Sequence, residues 1–528
     1  MELSNLNIHG DPLYFLVKSQ SLSLTFFIFF MFVSYEYFSK LKSVNLEEVI
    51  GSYYIGKAKA YLYQFLFFLL PIFLVFLSVT LFDIYVYFKE QVNFDIYFLH
   101  IVKNNLLNIL LVSLIATLIG FTIALVLRRF PAFTLMALII FFVSPLVEFI
   151  LFPLRYININ SYPFTDFFAI TPPNLNWQED NLYGISIESY RWNIALFWLF
   201  LLFMFLINSI ISKRNYVARL LSLCALSITI LNLILFLNPG STVIKDYRPD
   251  GLVSHDIKYY SEAEQKEEPA MFSIESYKLK VDIKKALSAT AEIKLRTDKI
   301  LDSYKFTLYR GYEVSKVYND LDEELDFIQK GDYLEILNPN KKNVVDLVIV
   351  YQGFSPIFYS NHQGVFLPAY FPYYPKGGYN KVYDINTHGF ITNKTNSLAD
   401  FEVTVNSNVP VFSNFDEFEK NIFRGKSEGV TLIGGFVQER DISSFKVYDF
   451  LLDPSDISWL PELEKDFREY IDKYNKQDGS KEGIKLIATP PINIHSESEK
   501  FVKYSDHIIL EDFYSPSWIL ERMRMNEQ

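Results

Sequence analysis

Residues 51–58, with the sequence GSYYIGKA, are the nearest approach in this chain to a phosphate-binding loop of the form G-x-x-x-x-G-K-[ST]. Ala58 stands where that loop carries the hydroxyl group that binds magnesium. No hydrophobic strand precedes the first glycine, and an apolar stretch follows almost at once. We therefore predict that this chain binds no nucleotide.

The histidines do not form a zinc-binding pattern either. The H-E-x-x-H motif places two imidazoles one helical turn apart, with a glutamate as general base. None of the seven histidines is followed by glutamate, and no two are four residues apart. His495 and His507 lie near Glu497 and Glu511 in sequence, but the spacing fits no metal site, so we expect surface histidines. The sequence predicts no metal site, and no nucleophile elbow or other catalytic residue.

Charge divides the chain into two unequal halves. Residues 1–240 contain 14 Lys or Arg and 13 Asp or Glu, whereas residues 241–528 contain 35 and 47, a net charge of −12. This acidic balance argues against a nucleic-acid partner, which would need a basic face.

The first half contains apolar stretches that are long enough to cross a membrane. We predict six spans, at about 19–38, 60–86, 104–127, 130–154, 192–212 and 217–240. Lys and Arg are concentrated after the first, third and fifth spans, which makes those loops cytoplasmic. The sequence therefore predicts a multi-pass protein of the plasma membrane, surrounded by lipid, with its N-terminus and its second half outside.

Two acidic residues lie near span ends. Asp83 occurs in TLFDIYVY and Glu148 in VSPLVEFILF. Ionisable groups inside a membrane are costly and usually face the bundle interior or water. Either residue could line a substrate path, although both are predicted close to the outer interface, where water reaches them.

A short amphipathic segment follows the first span. Its residues are Val44, Leu46, Glu47, Glu48, Val49 and Ile50. An apolar span, an L-E-E segment, a G-K pair and a second span together resemble the type-2 export class of ABC transporter permeases. In that family the segment is a coupling helix that docks on the ATPase. The resemblance implies ABC ATPase subunits as partners, which hold the ATP and magnesium, and assigns ATPase coupling to this segment.

The outer loop 171–198 adds to this resemblance. Asn181, Gly184, Asn193 and Trp198 fall where a family of ABC permeases fused to an outer aminopeptidase-like domain has such residues. An interfacial belt of aromatic residues is the alternative explanation. Six spans are half of the usual twelve, so the resemblance also implies a second permease copy or a homologue.

The second half alternates apolar and polar residues in the manner of half-buried strands. We predict a polar linker at 241–271 and a mainly antiparallel β domain at 272–455. Y-Q-G, Y-P, F-x-V-x-V-x-S-N and G-G-F follow one another there, which resembles the N-terminal β domain of the aminopeptidase N family of zinc peptidases. Residues 456–528 look like a truncated start of the catalytic domain of that family, without its G-A-M-E-N motif.

A run of prolines and aromatic residues at 367–378 is the predicted contact surface of the outer domain. Its rings are Tyr370, Phe371, Tyr373 and Tyr374. The alternative is that these rings pack the inner edge of the β domain.

The fold class expected from these observations is an α-helical membrane bundle of six helices, followed by a mainly antiparallel β domain outside the cell. The expected function is that of an ABC exporter permease subunit, which is not an enzyme and holds no cofactor. The alternative is a membrane-anchored sensor or scaffold, whose outer domain binds a peptide or envelope ligand without transport.

Overall fold

The computed structural model describes residues 20–43, 56–89, 96–144, 147, 151, 167–172, 182–184, 187–210, 215–237, 256, 259–297, 299–339, 346–355, 357–386, 389–392, 398–442, 445–450, 485–489 and 501–511. The chain forms two compact units. The helical unit comprises residues 1–174 and 185–242, and the sheet unit comprises 175–184 and 243–528.

Seven α-helices and one π-helical turn make up the described part of the helical unit. They are α1 (Gln20–Ser43), α2 (Gly56–Lys89), α3 (Ile96–Asn105), the π-turn (Leu106–Leu111), α4 (Val112–Val126), α5 (Arg129–Val143), α6 (Ser189–Ile210) and α7 (Tyr216–Leu237). The π-turn joins α3 to α4 without a break.

Five helical stretches in the described residues are long and apolar enough to cross a membrane: α1, α2, the run from α3 to α4, α6 and α7. Helix α5 is shorter, with 15 residues. The apolar helical region expected from the sequence is therefore confirmed, and the count of six spans stays a prediction.

The predicted fourth span, 130–154, is not one continuous helix. Helix α5 ends at Val143, and Ser144 has an extended backbone, with φ −83° and ψ 157°. Residue 145 is proline, whose ring disfavours the helical conformation of the residue before it. The proline therefore indicates in the sequence where α5 ends. The apolar residues that follow it led to the prediction of a longer span.

Helices α1 and α4 pack closely together. Phe38 stacks on Phe121 with ring centroids 3.8 Å apart, and Ser34 Oγ donates to the Thr117 carbonyl at 2.7 Å. Gly120 permits this approach, because a side chain there would collide with the Met31 carbonyl. The core of the helical unit is built around this contact.

The sheet unit contains 21 strands in its described residues. They are β1 (Ser273–Ile283), β2 (Leu287–Arg296), β3 (Ser303–Thr307), β4 (Tyr312–Asn319), β5 (Phe327–Lys330), β6 (Tyr333–Leu337), β7 (Asp346–Gly353), β8 (Val365–Leu367), β9 (Lys376–Gly377), β10 (Tyr383–Asp384), β11 (Gly389–Phe390), β12 (Ala399–Ser407), β13 (Val411–Ser413), β14 (Asp416–Glu419), β15 (Ile422–Ser427), β16 (Leu432–Gly434), β17 (Val437–Ile442), β18 (Phe445–Phe450), β19 (Lys485–Thr489), β20 (Phe501–Lys503) and β21 (His507–Glu511).

The largest sheet has seven strands in the order β14-β15-β12-β1-β2-β7-β4. Its central pair, β1 and β12, is parallel, with Leu279 opposite Val403, and its other pairs are antiparallel. Tyr277, Leu279, Val281 and Ile283 point into the core, as their alternation predicts. The mainly antiparallel β fold is confirmed.

Three smaller sheets have the orders β5-β6-β3-β9, β13-β16-β8 and β10-β11. A further five-stranded sheet, β17-β18-β19-β21-β20, contains the parallel pairs β18–β19 and β19–β21. The α/β character expected near the end of the chain stays a prediction, because the connections between these parallel strands lie outside the described residues.

The predicted linker at 241–271 does not remain outside the sheet unit. Asp256 and Tyr260 are buried, and Tyr260 stacks on Tyr383 with ring centroids 4.8 Å apart. Gln265 donates from Nε2 to the Tyr383 carbonyl at 2.8 Å. These contacts place the second half of the segment in the sheet unit. They were not predicted because the segment is polar in composition.

Candidate functional site

A cluster of buried polar side chains lies inside the helical unit. Arg191, in the first turn of α6, is 2 % exposed. Its two Nη atoms donate to the carbonyls of residues 169–171 at 2.9–3.4 Å. Nη2 also donates to Asn108 Oδ1 at 2.9 Å. The guanidinium therefore ties α6 to two other parts of the unit.

Asn108 is the other centre of this cluster. It lies in the π-turn, donates from Nδ2 to Asn104 Oδ1 at 2.7 Å, and accepts at its carbonyl from Ser23 Oγ at 2.6 Å. We call Arg191, Asn108, Asn104 and Ser23 the polar lock. A π-turn inside an α-helix often marks a functional position, because its carbonyls are displaced from the regular ladder. The lock joins α1, the α3–α4 run and α6 through hydrogen bonds.

Asp83 lies near the end of α2, and its predicted position close to the outer interface stays a prediction. It is buried and accepts a hydrogen bond from Asn105 Nδ2. Asn105 is the residue immediately before the π-turn. A role for Asp83 in a substrate path stays a prediction, and Glu148 lies outside the described residues.

The polar lock was not predicted from the sequence. Arg191 lies one residue before the predicted span at 192–212, although it occupies the third position of α6. The signal that could have revealed the cluster is the run KNNLLN at 103–108, which places three asparagines at the start of an apolar stretch. Trp198, which the resemblance singled out, donates from Nε1 to the Phe167 carbonyl at 3.0 Å.

The predicted ATPase-coupling residues lie outside the described residues. They are Val44, Leu46, Glu47, Glu48, Val49 and Ile50. Their role stays a prediction.

The four rings predicted as an outer contact surface are buried. Tyr370, Phe371, Tyr373 and Tyr374 are each at most 1 % exposed. Phe371 stacks on Phe358 with ring centroids 3.9 Å apart, and Tyr373 Oη donates to a main-chain carbonyl at 2.9 Å. The contact role is therefore wrong and the packing alternative is right, because all four rings lie in the core.

Asp506, His507 and Thr431 have the connectivity of a hydrolase triad. His507 Nδ1 lies 2.9 Å from Asp506 Oδ1, and His507 Nε2 lies 2.9 Å from Thr431 Oγ1. Thr431 and His507 are fully buried, however, and Thr431 Oγ1 already accepts from the Ala369 amide at 3.0 Å. A nucleophile has to reach its substrate, so this trio is a structural connection between two sheets. The expectation of a surface histidine was wrong for His507, and His495 lies outside the described residues.

Asp506 is the centre of that connection. Its Oδ1 accepts from Ser427 Oγ at 2.6 Å and its Oδ2 accepts from Asn414 Nδ2 at 2.7 Å. Burial raises the pKa of the Asp506 carboxyl, but His507 and these hydrogen bonds outweigh burial and hold the pKa below its usual value. The carboxylate therefore holds β21 against the strands at 411–434.

Lys376 is a buried amine in the sheet unit. Its Nζ donates to the Ala369 carbonyl at 2.6 Å and lies 5.6 Å from the centre of the Tyr374 ring. Burial lowers the pKa of Lys376 from its usual value to about 7. An unfolded chain keeps lysine protonated to about pH 10.

We expect the sheet unit to become more stable between pH 7 and 9. Over that range the unfolded state holds a proton on Lys376 that the folded state has released, so stability rises with pH. Lys376→Met removes this contribution. Urea midpoints from pulse proteolysis of the full chain will rise with pH for the unmodified protein and less steeply for the variant. Parallel pH profiles would show that Lys376 titrates normally.

Comparison with known proteins finds no matching family model and no matching curated protein. Yeast LTA4 hydrolase is among the similar solved structures, with 13 % sequence identity, a TM-score of 0.32, and coverage of 48 % of this chain and 43 % of that chain. An M1 zinc metallopeptidase from Deinococcus radiodurans matches with 11 % identity, a TM-score of 0.33, and coverage of 49 % and 64 %. This chain therefore spans less than two thirds of either structure.

The sequence has no H-E-x-x-H motif. Within the described ranges, no three His, Cys, Asp or Glu side chains are grouped in a way that would hold a metal ion.

Proposed function

We propose that this protein is a permease subunit of an ABC exporter. The observation that carries the proposal is a compact unit of membrane-length apolar helices in which an amphipathic L-E-E segment separates the first two helices in sequence. The polar lock supports it, because buried polar residues in a membrane bundle usually have a functional role. The transported substrate moves while ATPase subunits supply the energy.

The proposed partners follow from this role. ABC ATPase subunits bind ATP and magnesium, and a second permease, identical or homologous, completes the pathway. Lipid surrounds the apolar helix faces, which carry exposed side chains such as Leu70, Leu223 and Leu231. The sheet unit is a non-catalytic domain for contact with the substrate or a partner.

The membership of residues 182–184 in the sheet unit supports an outer location for that unit. Helices α6 and α7 lie between these residues and the rest of the sheet unit in sequence, so the chain crosses the membrane an even number of times between them. In sequence, Lys213 and Arg214 lie between α6 and α7, and Arg219 lies in the first turn of α7. Positive charges favour the cytoplasmic side, which leaves the sheet unit outside.

A sensor or scaffold is the second candidate function. The inclusion of residues 182–184 in the sheet unit favours it, because a ligand-induced change there has a covalent route to α6. A sensor of this kind needs no ATPase.

We expect an ABC ATPase subunit to copurify with this protein from its native membrane, and charge reversal at Glu47 and Glu48 to reduce that recovery about tenfold or more. Reversal places lysines where the proposed contact has carboxylates, and like or misplaced charge at an interface costs several kcal/mol. Glu417→Lys with Glu419→Lys, in the exposed strand β14, is the matched control. Equal recovery with both double variants would refute the coupling assignment, and no ATPase with the unmodified protein would favour the sensor.

A further inference from the structure

Two buried carboxyl groups lie around the Arg310 side chain in the sheet unit. Asp256 is fully buried, and Asp332, in the turn between β5 and β6, is 3 % exposed. Arg310 Nη2 donates to Asp256 Oδ1 at 2.6 Å, whereas the Arg310 amide donates to Asp332 Oδ1 at 2.7 Å. The guanidinium is thus paired with Asp256, and Asp332 is held by the main chain. These three groups carry a net charge of −1 when both carboxyl groups are ionised.

A short stretch of chain before β1 supplies one side of this cluster. We call Asp256 and residues 259–263 the entry segment. The Ala263 amide donates to the Tyr259 carbonyl at 2.9 Å, which closes one helical turn. The Tyr259 ring lies over the Arg310 guanidinium, with the ring centre 4.3 Å from Cζ. The entry segment therefore holds Arg310 through a carboxylate and an aromatic face.

The turn that carries Asp332 lies directly against the entry segment. Gly331 has φ +57°, and a Cβ there would lie 1.9 Å from Tyr259 Oη, so the turn needs glycine for both its backbone and this close approach. The Arg310 side chain is 20 % exposed, which places the cluster near the surface of the sheet unit. Displacement of the entry segment would therefore bring water to Asp332.

The packing of the entry segment affects the protonation of Asp332. Burial raises the pKa of Asp332 to about 7 and Asp256 adds to the rise, although the Arg310 amide, the Tyr260 hydroxyl and the Arg310 charge favour the ionised form. An aspartate in water has a pKa of about 4. Between these values the packed state holds a proton that the displaced state has released, so the packed state loses stability as the pH rises towards 7.

The ionisable groups around Asp332 come from three elements. They are Asp256, Tyr259 and Tyr260 of the entry segment, Tyr309 and Arg310 after β3, and Tyr333 of β6. Burial raises the pKa of each of these four tyrosines above its usual value, so they stay neutral near pH 7. Asp332 is therefore the group of this set whose charge changes near neutral pH.

We propose that Asp332 is a proton-binding site that controls how firmly the entry segment is attached to the sheet unit. A protonated Asp332 leaves Asp256 and Arg310 as a neutral buried pair, and the segment stays in place. An ionised Asp332 adds a buried charge, whose cost falls when the segment moves away and water reaches the carboxylate. The proton passes to and from the solvent. The proposal goes beyond the proposed function, because a pH-sensitive attachment is compatible with an exporter and with a sensor.

Hydrogen exchange of the full chain in lipid nanodiscs, measured from about pH 5.5 to 8.5 and corrected for the intrinsic pH dependence of exchange, tests the proposal. We expect the protection of the Ala263 amide to fall about tenfold or more over this range and to level off above about pH 8. The amides of β1 are the internal reference, and their protection should not follow this profile.

Two variants identify the titrating group. Asp332→Asn still accepts from the Arg310 amide and cannot ionise, so the protection of Ala263 should stay constant with pH. His255→Asn is the matched control, because His255 adjoins Asp256 in sequence and histidine also titrates near neutral pH. This variant should keep the full pH dependence.

Constant protection of Ala263 in the unmodified protein, or the same fall in Asp332→Asn, would overturn the proposal. If Asp332→Asn does not fold, the His255→Asn profile decides: a retained fall supports Asp332, and a lost fall assigns the titration to the histidine and contradicts the proposal. No ATPase is needed, so the result is independent of the proposed function.

Discussion

Arg191→Ala is expected to destabilise the helical unit by about 3 kcal/mol or more. The substitution leaves the carbonyls of residues 169–171 and Asn108 Oδ1 without the donor that they share. Each buried acceptor without a partner costs about 1–3 kcal/mol, and an apolar bundle offers no water to replace the donor. The thermal midpoint of the full chain in detergent should fall by about 6–12 °C.

Two further variants separate the polar lock from general effects of charge. Arg219→Ala removes an exposed arginine from α7 and should change the midpoint by no more than about 2 °C. Arg191→Lys keeps the charge but loses the planar fork that reaches several acceptors, so it should recover less than half of the loss. A midpoint for Arg191→Ala equal to that of the unmodified protein would show that the lock contributes nothing to stability.

Asp256→Ala is expected to destabilise the sheet unit by about 3–5 kcal/mol. Asp256 is fully buried and accepts from Arg310 Nη2 at 2.6 Å and from Tyr309 Oη at 3.1 Å. Removing it leaves the largely buried guanidinium without its carboxylate, and a buried charge that has lost its partner is costly. Pulse proteolysis of the full chain should show a urea midpoint lower by about 1–2 M.

The exposed pair of Lys280 and Glu292 provides the comparison. Its atoms are 2.8 Å apart, close to the distance in the buried pair, but the two side chains are 56 % and 36 % exposed. Glu292→Ala should therefore cost no more than about 1 kcal/mol, because water screens the pair. If the two substitutions shift the midpoint equally, burial does not determine the strength of the Asp256 contact.

The local pattern of apolar and polar residues predicted much of the fold. The alternation of Tyr277, Leu279, Val281 and Ile283 identifies β1 because one face of a sheet is buried and the other is solvated. Long apolar runs identify the helices for a similar reason, since about 20 residues are needed to cross a bilayer. Both signals depend only on residues that are neighbours in sequence.

Contacts between distant residues were not predictable from the sequence in this way. Arg191 meets Asn108 across 83 positions, and Gln363 meets Tyr183 across 180. The rings at Tyr370–Tyr374 were misread because a run of prolines and aromatic residues is equally suited to a surface and to a core. Only the tertiary packing around Phe358 separates those two outcomes.

ATP turnover by the partner ATPase, reconstituted with this chain in liposomes, tests the central claim most directly. The proposal predicts that turnover depends on this chain and falls about tenfold or more when Glu47 and Glu48 are both replaced by lysine. The Glu417→Lys, Glu419→Lys control should retain full turnover. Turnover and complex formation that are unaffected by charge reversal at Glu47 and Glu48 would contradict the account.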